Sequence, residues 1–157
     1  MKIRTDFVTN SSSSSFIIVF KSVAQRNETF EMLKERYPYH AHTIISDIEN
    51  NKITKEEALK QIKEDLESEA YWKYYWNNNK YWGRNSEYKD VNPYTDPTIQ
   101  KAVKEYVKVE LEKILNELPK RGYYSSVEYG DDSSYYSELE HEIMPYQDFV
   151  YRRISHH

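Results

Sequence analysis

The feature that most constrains this chain is FVTNSSSSSFIIVF, residues 7–20, in which five serines run straight into Phe16–Phe20 without a polar position between. A strand with one wet face alternates apolar and polar side chains. An unbroken apolar run of this length suits a strand covered on both faces. Its Phe, Ile and Val content favours strand over helix. Serine and asparagine bond locally to backbone and oppose helix, so Met1 to Ser15 reads as an extended lead and a loop. The tract should lead directly into a central strand.

Helical spacing follows. Asn27 can cap a helix from Glu28 to about Tyr37, with Phe30, Leu33 and Tyr37 on one face and Pro38 at its end. Ile44, Ile45 and Ile48 predict a short helix closed by Asn50 and Asn51. Thr54 and Glu57 have capping-box spacing, and Ala58, Leu59, Ile62, Leu66 and Ala70 continue a buried stripe. Asp96 followed by Pro97 marks another helix start, and apolar positions from Ile99 to Leu118 keep helical spacing until Pro119 and Gly122.

After Gly122 the period shortens. Tyr123, Ser125, Val127 and Tyr129 alternate, Gly130-Asp131-Asp132 reads as a turn, and Tyr135 to Ile143 alternates again. Phe149 to Ser155 completes a C-terminal antiparallel three-stranded meander. The expected fold is α+β, a single domain over residues 1–157. Its N-terminal strand would pair with the meander in one mixed sheet, around a helical middle.

The lead RTDFVTNSSSSSFIIVF, residues 4–20, is similar to the opening of many small proteins of Gram-positive bacteria and their phages. In these a near-identical FVTNSSSSSF stretch stands before varied sequence. The resemblance covers only this lead. It implies a bacterial or mobile-element protein, and that family carries no established activity to transfer.

Several chemistries are excluded or disfavoured. Cysteine is absent, which removes disulfides, thiolate metal sites and cysteine nucleophiles and fits a reducing, cytoplasmic location. No apolar run approaches the ~20 residues of a membrane span. Only three glycines occur, so no glycine-rich phosphate loop can form. The net charge of −4 disfavours nucleic acid as a partner. The aromatic segment YWKYYWNNNKYW, residues 71–82, could stack bases, but Glu64, Asp65, Glu67 and Glu69 precede it and oppose a phosphate backbone. Core packing and a protein contact through Trp72 and Trp76 account for it better.

What remains is an excess of tyrosine, sixteen residues, and a C-terminal run of acids. Tyrosine has an apolar body and a polar tip, which suits wet interfaces. Between Arg121 and Arg152 no Lys or Arg occurs, while Glu128, Asp131, Asp132, Glu138, Glu140, Glu142 and Asp148 do. On a strand, Glu138, Glu140 and Glu142 would form a row on one face. The plainer reading of that row is a solvated face balanced by Arg152 and Arg153. The functional reading is a negative patch bordered by Tyr129, Tyr135, Tyr136 and Tyr146 that grips a basic protein. This predicts a non-enzymatic protein-binding module, with self-association as a further outcome; taken with it, the resemblance of the lead implies an accessory or inhibitor protein of a phage or mobile element.

The alternative is a divalent metal, as a binding site or in a hydrolase. His141 and His156 would face each other across paired strands, helped by Asp131, Asp132 or a strand glutamate, although no familiar zinc spacing is present. His40 and His42, beside Pro38, read as solvated. A third reading is an anion nest formed by Ser11, Ser12 and Ser13 with Arg4 nearby. A structural loop is the stronger account of those serines, because no glycine supplies a left-handed turn.

Overall fold

The computed structural model describes residues 13–78, 92 and 94–156, with the side chains of 75–78 left aside. It is α+β, with one four-stranded antiparallel sheet in the order β2-β3-β1-β4. Strand β1 (Ser13–Phe20) lies between β3 (Tyr123–Gly130) and β4 (Val150–His156), and β2 (Lys52–Ile53) adds a short edge. The helices are α1 (Val23–Arg36), α2 (Ala41–Asn50), α3 (Lys55–Asn78), α4 (Pro97–Glu117) and α5 (Ser134–Glu138). A π-helical turn, Leu139–Ile143, and a 3₁₀ turn, Met144–Tyr146, follow α5.

The apolar run is the central strand that its pattern predicts. Phe16, Ile17, Ile18 and Phe20 are all buried. Phe16, Ile18 and Phe20 share one face with Val127 and Tyr129. They pack with Phe30 and Leu33 of α1, with Ala41, Ile44 and Ile48 of α2, and with Leu139, Ile143, Met144 and Phe149. The opposite face buries Ile17, Tyr124 and Ile154. The strand starts earlier than expected, however. Ser13, Ser14 and Ser15 belong to it, paired with Gly130, Tyr129 and Glu128 on one side and with His156, Ser155 and Ile154 on the other.

The expected three-stranded meander does not form, and the sheet is antiparallel throughout rather than mixed. Tyr135 to Ile143 is helical. The Ser133 side chain accepts from the backbone N–H of Tyr136 and starts α5, and the winding then carries Leu139, Ile143 and Met144 into the core. Leu139 and Ile143 stand four apart, a spacing that satisfies a strand face and a helix face equally, and here tertiary burial decides for helix.

Local start signals act as predicted in two places. At α3 the box is reciprocal: Glu57 N–H donates to Thr54 Oγ1 at 3.0 Å and Thr54 N–H donates to Glu57 Oε2 at 3.3 Å. At α4, Ile99 N–H donates to Asp96 Oδ1 at 3.0 Å with Pro97 at the first helical position. Helix α1 departs from expectation and begins at Val23, because Ser22 and not Asn27 is the cap, accepting from Gln25 N–H at 3.1 Å.

Contacts divide the chain into two compact units, one joining the chain up to Leu59 with the segment from Pro119 onward, the other Lys60–Leu118. The boundary falls inside α3, so no linker composition marks it. The first unit contains the sheet, α1, α2 and the C-terminal helical turns. In the second, Ile62, Leu66 and Ala70 of α3 and Ile99, Val103, Val107 and Ile114 of α4 are buried. The Tyr106 hydroxyl donates to Glu69 Oε1 at 3.3 Å, and Lys73 lies 5.2 Å from the Tyr106 ring centre. The Glu69 carboxylate, bonded to Lys73, holds that ammonium above its ordinary range. Among the described residues, no helix is long and apolar enough to cross a membrane.

Candidate functional site

Two constellations stand out in the sheet-bearing unit. The first is aromatic. It is built from the turn before α2 and from α5, which the π turn anchors to the core. The His40 and Tyr135 rings stack at 4.5 Å, with 24° between their planes. Tyr39 meets both edge-on, at 5.2 Å from His40 and 5.6 Å from Tyr135. Tyr136 extends the group, edge-on to Tyr135 at 5.3 Å and stacked on Tyr129 at 6.2 Å.

Hydroxyl bonds pin these rings. Tyr135 OH and Thr43 Oγ1 share a 2.6 Å hydrogen bond, and Tyr129 OH donates to Asp47 Oδ2 at 2.9 Å. Burial, and then the Asp47 carboxylate beside it, pushes the Tyr129 hydroxyl well above the usual phenol range. His40, expected to be solvated, is buried, with Nε2 3.3 Å from Glu138 Oε2. Outward, Tyr39 is 79% exposed and Tyr136 39% exposed. Beside Tyr39 lies a cleft of about 520 Å³ lined by Lys34, Pro38, Ala41, His42, Ile45 and Glu49 among others.

The second constellation is ionic and adjoins the first, at the end of the sheet where Ser14 pairs with Tyr129. Glu140 has no exposed surface at all. Its Oε1 accepts from Ser14 Oγ at 3.0 Å, and Arg153 Nε donates to the same Ser14 oxygen at 3.0 Å. An Arg153 terminal nitrogen stands 3.8 Å from Oε1. The other oxygen, Oε2, is buried without a hydrogen-bond partner, as is Asp131 Oδ1. His141 Nε2 lies 3.3 Å from Glu140 Oε2, close enough for charge interaction but outside hydrogen-bond geometry. One ligand atom from each of Asp131, Glu140 and His141 falls within 4.8 Å of the others.

These placements rearrange the residues singled out from the sequence. Glu138, Glu140 and Glu142 form no row, because helical winding turns Glu138 and Glu142 outward and Glu140 into the protein. Tyr135 and Tyr136 join Tyr129, which is itself buried and cannot be a contact residue. Tyr146, 77% exposed, stands elsewhere, on a cleft with Gln25, Glu28, Met32 and Arg36. Trp72 is 60% exposed but belongs to the other unit, and the Trp76 side chain lies outside the described residues.

His141 and His156 are not brought together. Side chains alternate along β1, so Ser14 with Glu140 occupies one face while Ser15, hydrogen-bonded to His156 Nε2 at 2.8 Å, occupies the other. Of the proposed anion nest, Ser11 and Ser12 lie outside the described residues, and Ser13 is a strand residue. Tyr39 and His40 were missed. Both lie in the turn that Pro38 begins, and contacts with residues some ninety positions away assemble them into the cluster.

Comparison with known proteins gives no match among family models, curated proteins or solved structures.

Proposed function

We propose that this chain is a non-enzymatic protein-binding module whose contact surface is the cluster of Tyr39, Tyr135, Tyr136 and Glu138. One observation carries the reading: Tyr39 projects 79% of its surface to solvent while its ring is packed against two neighbours. An exposed ring already held in place loses little conformational freedom on binding, which is what makes aromatic anchors effective. Glu138, half exposed beside it, supplies negative charge, and Glu142 is exposed one helical turn further on. Tyrosine faces and carboxylates together suit a basic segment of another protein, through cation–π contact and steering. The resemblance of the N-terminal lead to bacterial and phage proteins supports a host protein as the target.

The test is capture of a partner from bacterial extract by the full chain and by variants. The double variant Tyr39→Ala with Tyr136→Ala, and the charge reversal Glu138→Lys with Glu142→Lys, should lose the captured protein. Tyr146→Ala, on a separate cleft, should keep it. Equal capture by all four proteins would remove this surface from consideration.

A further inference from the structure

We propose that Asp131, Glu140 and His141 form a binding site for a divalent transition-metal ion, with zinc the ion whose chemistry fits best. The inference is independent of the aromatic surface. It begins from a buried carboxylate oxygen with nothing to bond. Glu140 is wholly enclosed, Ser14 serves its Oε1, and Oε2 is left without a donor. A desolvated carboxylate oxygen costs free energy unless a proton donor or a cation meets it. Arg153 does not meet this need, since its terminal nitrogen is 3.8 Å away and on the side of Oε1. A second orphan, Asp131 Oδ1, is buried on the turn that follows β3.

Between these oxygens stands an imidazole. The distance from Glu140 Oε2 to His141 Nε2 is 3.3 Å. Two ligands each about 2.0 Å from a tetrahedral ion stand about 3.3 Å apart, so this pair already spans one edge of a zinc tetrahedron. Asp131 offers the third ligand atom within 4.8 Å of both, on a half-buried side chain. One imidazole with two carboxylates selects zinc-like ions over magnesium or calcium, which prefer oxygen alone. Ser14 and Arg153 would then act as outer partners that orient the Glu140 carboxylate. The π turn matters here, because it brings consecutive residues 140 and 141 to one point, and such turns recur at functional sites. Three protein ligands leave a fourth position for water, on the exposed side of His141.

The experiment uses the full chain, stripped with chelator, titrated with zinc by calorimetry and by thermal unfolding at fixed pH. The unsubstituted protein should bind one equivalent and unfold at a higher temperature. Asp131→Asn and His141→Gln, at half-buried and exposed positions, should stay folded by circular dichroism. Each should weaken binding at least about tenfold, the lower bound seen when even an outer partner is removed. His156→Ala combined with His157→Ala should bind zinc as the unsubstituted chain does, and magnesium should produce no shift. Absence of binding, binding that survives both ligand substitutions, or binding lost with the terminal histidines overturns the site. An equal response to magnesium overturns the choice of ion.

Discussion

Ser14 Oγ donates a 3.0 Å hydrogen bond to Glu140 Oε1, across 126 positions of sequence, and so joins the central strand to the π-helical turn. The same oxygen accepts from Arg153 Nε, which makes a relay from β4 through β1 to the buried carboxylate. Replacing Ser14 by Ala removes both bonds and strips the carboxylate of its only hydrogen-bond donor among the described residues. The expected loss is about 2 kcal/mol, since a buried group left unpaired costs roughly 1–3 kcal/mol and more when charged. Urea unfolding measures it, and an unchanged midpoint would mean that the relay contributes nothing to stability.

This relay also shows which parts of the molecule the sequence could reveal. Phe16 to Phe20 was legible as a doubly covered strand because burial on both faces removes polar positions from the run itself. The Thr54–Glu57 and Asp96–Pro97 starts were legible because the groups that bond lie within one turn of each other. Ser14 and Ser15 were not, since their hydroxyl partners Glu140, Arg153 and His156 come from the other end of the chain. Glu140 was placed on the wrong kind of element for a related reason. Its neighbours Leu139 and Ile143 fit period two as well as helical spacing, and only packing against Phe16 and α2 separates the readings. The pairing of His141 with His156 expected from the sequence does not form, because His156 bonds Ser15 on the face of β1 opposite to Ser14 and Glu140.

Gly122 sits where the chain turns from α4 into β3, and a β-carbon there would come 2.8 Å from Pro119 Cγ and 3.1 Å from the carbonyl oxygen of Phe20. The first neighbour is a ring and the second is backbone of the central strand, so neither yields easily. Gly122→Ala should therefore destabilise the fold by about 1–3 kcal/mol, as overpacking does. Thermal unfolding decides it: a variant as stable as the parent would show that the turn has slack.

The reciprocal cap at α3 permits a dissection. Thr54→Ala removes the hydroxyl that accepts from Glu57 N–H and should cost about 1 kcal/mol. Glu57→Ala removes the return bond to Thr54 N–H, which is longer and exposed, and should cost less. The double variant should lose less than the sum of the two, because each bond helps to orient the other. Strict additivity in denaturant midpoints would show that the two bonds act separately.

Tyr124 links stability to alkaline pH. Its hydroxyl donates to the Pro119 carbonyl at 2.7 Å, and burial, then the nearby Glu56 charge, raises its pKa above 10.0. The folded state therefore holds this proton more tightly than the unfolded chain does. That contribution is complete below the unfolded value near pH 10 and disappears as pH rises through the folded one. Tyr124→Phe should be less stable than the parent at neutral pH by about 1 kcal/mol, the worth of one hydrogen bond. The difference should shrink when unfolding is measured at about pH 11, where the parent alone loses the proton-linked stability of this residue. A gap that stays constant or widens across that range would show that the Tyr124 proton is held no more tightly in the folded state than in the unfolded one.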